Sequence, residues 1–259
     1  MAGEGQFIDN LMKSDLKVTG TTKVGNENKY CLEKFNVQPI CQVVNATTAL
    51  PSGTADTANI ARFEENSFEY VAKGTQTIIG LGALASTGCS VAGDQTDNDG
   101  REISFAGGIT SKAPRAYMVG RAFFARLRFS IATVAGTDDC AFGFRKAEAY
   151  QTNLDDYDEM AVLNVISGDI KIETILNGGT TATTDTTQNW ADAGIHELRV
   201  DVAADGAVTY QIDDEPPTVT AAFSFDAGET VIPFMFFLQA TASQTGALVL
   251  EEFESSYVN

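Results

Sequence analysis

The sequence predicts an all-β protein: a jelly-roll β-sandwich preceded by an extended N-terminal arm. Many short segments alternate apolar and polar residues with period two, which turns one face of each toward a core. Turn signals separate these segments, and the 259 residues include 23 Gly but only 6 Pro. No persuasive long helix exists, since nothing sustains the 3.6-residue beat of an amphipathic one.

Residues 1–62 lack sustained periodicity and carry polar, Gly/Thr/Asn-rich connections at 19–28 and 45–59. Apolar residues gather only in Phe7–Met12 and Tyr30–Val44. This segment reads as an arm with one or two short strands, ordered by packing on a neighbour or on its own sandwich. Its expected contact residues are Phe7, Ile8, Leu11, Met12, Tyr30, Phe35, Val37 and Ile40.

From Phe63 to Asn259 the pattern is β, and this span forms the sandwich. The expected strands are Ser67–Lys73, Gln76–Leu81, Glu102–Ala106, Ala116–Thr133, Cys140–Ala147 and Met160–Val165, followed by Ile170–Leu176, His196–Ala203, Ala207–Asp213, Val231–Gln239 and Ala247–Tyr257. Within Arg121–Ser130, Phe123, Ala125, Leu127 and Phe129 share one face while Arg126 and Arg128 take the other. Two alternating strands flank Asp205-Gly206, a β-hairpin signal, and an acidic turn with Pro216-Pro217 follows. Ala147–Tyr157 has room for one helical turn.

Charge narrows the function classes. Lys and Arg total 17 against 35 Asp and Glu, a net charge of −18, which repels nucleic acid and anionic membranes. The N-terminus has no basic segment followed by an apolar run, so no signal peptide is expected. No apolar run approaches the ~20 residues that span a bilayer. The four cysteines, Cys31, Cys41, Cys89 and Cys140, lack zinc-type spacing. Buried thiols are expected, with a Cys31–Cys41 disulfide as the alternative.

No catalytic centre is expected. The single histidine, His196, has no nucleophile elbow beside it. Retaining glycosidases set two carboxyl groups about 5–5.5 Å apart. The acidic clusters Glu64-Glu65 with Glu69, Asp155–Glu159 and Asp213–Glu215 lack a matching string. Asp94, Asp97, Asp99 and Glu102 offer hard oxygen ligands at a density that suits Ca²⁺. The EF-hand spacing is not met, and Asp97–Gly100 also reads as a turn. Trp190, Tyr150, Tyr157 and the loop Asn177–Asn189 are the candidates for a sugar-binding surface, with Trp190 also read as a core anchor.

The run from Trp190 through Asp214 resembles the concanavalin-A-like, laminin-G-like β-sandwich family, as do Val231–Gln239 with Ala247–Tyr257 and Asp97–Ala106 with Arg121–Ile131. The run Asp99–Asn177 is also similar to proteins common among tailed bacteriophages and marine viruses. Together these resemblances imply a non-enzymatic virion protein, a capsid decoration or cement protein on the exterior of a tailed-phage head, made in the host cytoplasm. Its implied partners are the major capsid protein and itself, as a homotrimer. The arm would bridge subunits by burying apolar surface worth ~25 cal/mol per Å². The alternative is the carbohydrate-binding head of a tail fibre or spike, with a host glycan as partner. A glycoside hydrolase ranks third.

Overall fold

The computed structural model describes residues 30–35, 40–43, 58–62, 67–74, 88–91, 98–105, 116–240 and 248–258; for 30, 40–43, 58–62 and 67 it describes the backbone. Two antiparallel sheets stack face to face. One has the order β1 (Tyr30–Lys34), β16 (Leu248–Tyr257), β8 (Phe123–Ile131), β13 (Ile195–Val202), β14 (Val208–Ile212), with β5 (Cys89–Ser90) also on β16. The other runs β12 (Ala182–Asn189), β11 (Asp169–Ile175), β10 (Met160–Ile166), β9 (Thr137–Lys146), β15 (Thr230–Gln239), β6 (Gly100–Ser104), β4 (Ser67–Lys73), β3 (Ala58–Arg62), β2 (Ile40–Val43). Short β7 (Tyr117–Met118) also pairs with β15. Among the described residues the sheets hold six and ten strands.

The period-two reading of β8 holds at every inward position. Phe123, Ala125, Leu127, Phe129 and Ile131 are all 0% exposed. They face the inward residues of the large sheet, among them Phe142 and Phe144 of β9 and Met235 and Phe237 of β15. A stacked pair, Phe105 and Phe253 with centroids 4.1 Å apart, joins the two layers. On the outer face of β8, Arg126 reaches Glu197, Glu252 and Glu254 at 2.5, 2.7 and 2.5 Å. These cross-strand ion pairs suit a solvated sheet face.

The hairpin of β13 and β14 turns through Asp205-Gly206 as its sequence implies, with Gly206 at φ +91. A Cβ on Gly206 would lie 2.2 Å from the Phe225 carbonyl oxygen. Only glycine meets both conditions.

Three elements depart from the sequence expectations. Ala116–Thr133 is interrupted: a turn with Gly120 at φ +134 separates β7 from β8. Ala182–Asn189, read as part of a loop, is the edge strand β12, and its Thr-rich sequence lacks apolar alternation. Mostly exposed edge strands have no core face to encode. The segment read as an arm packs on its own sandwich, one of the two expected arrangements, but with three strands rather than one or two: β1, paired with β16, and β2 and β3, paired in series onto β4. Gln76–Leu81 lies outside the described residues.

The outer face of the large sheet is also covered. Ala141, Met160, Val162, Ile175, Phe234, Phe236 and Leu238 form a second apolar cluster with Leu154 and Tyr157, which the β9–β10 connection folds back onto it. Strand β15 is therefore buried on both faces, and its near-continuous apolar sequence follows from that. The connection carries a 3-10 turn, Leu154–Asp156, in the place where one helical turn was expected.

Candidate functional site: a polar rim at one end of the large sheet

Antiparallel pairing brings chain ends together. Register pairs Met160 with both Arg145 and Ile175, and Val231 with Lys146. The end of β9, the start of β10, the end of β11 and the start of β15 therefore share one end of the large sheet. Three connections meet there, at 147–159, 176–181 and 226–229.

Side chains tie these connections to one another. Lys146 Nζ bonds Asp158 Oδ2 at 2.7 Å and faces Glu229 Oε2 at 3.4 Å. The bond to Asp158, against a smaller cost of burial, holds the ammonium above its ordinary range. Asn177 Nδ2 donates to Asp226 Oδ2 at 3.2 Å, and Thr181 Oγ1 to Asp155 Oδ1 at 2.6 Å. The Gly178 amide donates to the Asp158 carbonyl at 2.7 Å. Asn153, Asp155, Asp156, Asn177 and Asp226 remain exposed, and Leu176 is 44% exposed beside them.

Below the rim lies a buried ion pair. Arg145 Nη2 donates to Glu102 Oε1 at 2.6 Å, with side-chain exposures of 0% and 2%. Tyr157 donates its hydroxyl to the other Glu102 oxygen. Burial pulls the Arg145 pKa down, but Glu102 outweighs it and the guanidinium stays charged. Burial, reinforced by Glu102, pushes the Tyr157 phenol far above its usual value. These three groups anchor the β9–β10 connection on the sheet.

A second polar group sits on the same outer face. Asn164 Nδ2 donates to Asp139 Oδ1 and to Glu173 Oε2, each at 2.7 Å. Burial, partly offset by the Asn164 bond, pushes the Asp139 carboxyl up to about 6.

No known protein family and no characterised protein sequence matches this chain. Solved structures match across nearly its whole length. A protein of unknown function from Shewanella oneidensis MR-1 aligns with a TM-score of 0.57 at 10% identity, covering 95% of this chain and 93% of that one. The lectin UEA-II complexed with galactose gives 0.53 at 10% identity, covering 89% and 99%. The Emp47p carbohydrate recognition domain gives 0.52 at 11%, covering 88% and 97%. The fold is the concanavalin-like, lectin-type β-sandwich.

Within this lectin-type sandwich the expected site residues are scattered. Trp190 is 2% exposed, its ring 4.5 Å from Phe129 and its indole N–H donating to the Gly194 carbonyl at 3.0 Å. Tyr157 is 1% exposed. Neither offers a ring face to a sugar, because both rings are spent on core packing; Tyr150 is half-buried against the second cluster. Of the expected calcium ligands, Asp94 and Asp97 lie outside the described residues. Asp99 is buried, and Glu102 is corrected from metal ligand to partner of Arg145 and Tyr157. Among the described residues no group of three or more His, Cys, Asp or Glu is placed to hold a metal ion.

Of the expected assembly contacts, Phe7, Ile8, Leu11, Met12 and Val37 lie outside the described residues, and Tyr30 and Ile40 are described as strand backbone. Phe35 is 1% exposed and packs on Phe68 inside this chain's own core, which removes it from any external contact. His196 pairs with Asp213 at 2.6 Å and meets the Trp190 ring edge to face.

Sequence reasoning singled out Asp155–Glu159 as an acidic turn, solvated or, alternatively, a calcium site. It passed over Lys146, Asp226 and Glu229. Only the Asn177-Gly178 and Asp226–Glu229 turn chemistry signalled that polar connections would meet the acidic one.

Proposed function

We propose that this protein is a non-enzymatic carbohydrate-binding sandwich and that the rim at 147–159, 176–181 and 226–229 is its binding surface. The observation that carries this reading is the convergence of exposed Asn153, Asp155, Asn177 and Asp226, with half-buried Thr181, from three separate connections at one sheet end. Sugar hydroxyls both donate and accept, so a surface of carboxylates, amides and hydroxyls matches them. Exposed Leu176 supplies an apolar patch for a sugar's C–H face. The likeness in fold to a galactose-bound lectin and to a carbohydrate recognition domain supports the same reading.

A glycan array with the full chain tests it. Binding to a restricted set of sugars is expected, weakened about five- to tenfold by Asp155→Ala or Asn177→Ala, the loss of roughly one net hydrogen bond each. An array with no bound sugar, or affinity unmoved by both substitutions, overturns it. Attachment of the sandwich to a phage particle is a second proposal, and the resemblance of Asp99–Asn177 to phage proteins supports it. Cosedimentation with capsids and with isolated tails separates its two forms.

A further inference from the structure

We infer that the rim is proton-gated: Glu159, sealed beneath the three connections, holds them docked as a neutral acid and loosens them when it ionises. Glu159 is 0% exposed, and neither of its carboxyl oxygens has a hydrogen-bond partner among the described residues. Among the described residues, the charged groups facing it are Asp158 on its own connection, Asp226 and Glu229 from the turn before β15, and Lys146 at the end of β9. Three of these four are acids. Lys146, the one cation, is already held by Asp158 and Glu229. Arg145 is committed to Glu102 and to the carbonyls of Lys146 and Glu148, while Glu148 accepts the Asp158 amide.

An anion at Glu159 therefore meets neither a hydrogen bond nor an uncommitted cation, and the docked state favours the neutral form. Burial first, then Glu229 and Asp226, pushes its carboxyl up from an ordinary 4.5 to about 7. Once the connections part and water reaches the group, the ordinary value returns. Between those two values, each unit of rising pH favours the open form by up to about tenfold. Mild acid thus holds the rim together, and pH above neutral releases it. The gate adds regulation to the proposed carbohydrate site: a glycan is retained in mild acid and let go above pH 7.

The test uses the full chain and no sugar. Amide exchange, normalised to intrinsic rates, is followed by NMR from pH 5 to 8 at Gly178 and Lys146. Their N–H groups donate to the Asp158 and Glu159 carbonyls at 2.7 and 2.8 Å and so report docking. Protection is expected to fall at least about tenfold in the native protein and to stay flat in Glu159→Gln, which keeps the shape without the charge. A flat native profile overturns the gate, as does an equal slope in Glu159→Gln, which assigns the effect to another acid. The carboxyl ¹³C shift of Glu159 in the unaltered protein is the second measurement. A midpoint near 7 supports the gate and one below 5 overturns it, whether or not the variant folds. Failure of the glycan array would bear on the binding reading alone.

Discussion

Glu102 of β6 and Arg145 of β9 meet at 2.6 Å on the outer face of the large sheet, on either side of β15 and both shut off from solvent. The pair lies under Tyr157 and fixes where the β9–β10 connection lands. The rim therefore depends on a contact between residues 43 positions apart in the chain.

Breaking that pair from one side leaves a charge buried without its partner. Arg145→Met is expected to cost about 3–5 kcal/mol in urea unfolding. The double variant Glu102→Leu with Arg145→Met should cost clearly less, because it buries no uncompensated charge. Equal losses in the single and double variants would show that the pair is not the anchor.

Phe35 distinguishes a core role from an external contact. Phe35→Ala is expected to lower stability by about 3–5 kcal/mol, the range for deleting a buried aromatic. A residue that served only to contact another molecule would leave chemical unfolding of the isolated chain unchanged.

The Asp139 carboxyl predicts a pH slope in global stability. Its value rises from 3.8 to about 6 in the folded chain, so between those limits the unfolded chain binds fewer protons than the folded one. The stabilisation is full below 3.8, declines as pH rises, and is gone above 6. Asp139→Asn should reduce the slope in that window, leaving the part that Glu159 contributes, while keeping a partner for Asn164. Denaturant midpoints at pH 4, 5, 6 and 7 check this.

Gly143 of β9 sits directly against the backbone of β10. A Cβ there would lie 2.2 Å from the Ala161 carbonyl oxygen, which is backbone and has little room to move. Gly143→Ala is expected to destabilise by about 1–3 kcal/mol, the range for overpacking, visible as a lowered melting temperature. An unchanged Tm would mean that the two strands separate at no cost.

Legibility in the sequence tracked burial. β8, β13 and β14 each present one face to the core, so their period-two patterns could be read directly. β15, apolar along both faces, was read as a strand from its length, and its double burial follows from the second cluster. β12 escaped because most of its residues stay in solvent and only pairing to β11 makes it a strand. Trp190 was legible as an anchor. Tyr157 was not, because its burial comes from a connection that folds back over the sheet.

By itself, the sequence determined the all-β class, the β13–β14 hairpin, the inward face of β8 and an acidic surface of net charge −18. Such features depend on neighbours within a few residues, through alternation, turn chemistry and composition. Only the tertiary structure decided that β1–β3 join the sheets, that Phe35 is core, and that Lys146, Asp158, Glu159, Asp226 and Glu229 share one end of the large sheet. Those outcomes depend on which strands pair across long loops, and an antiparallel register brings distant turns together without leaving a local mark in the chain.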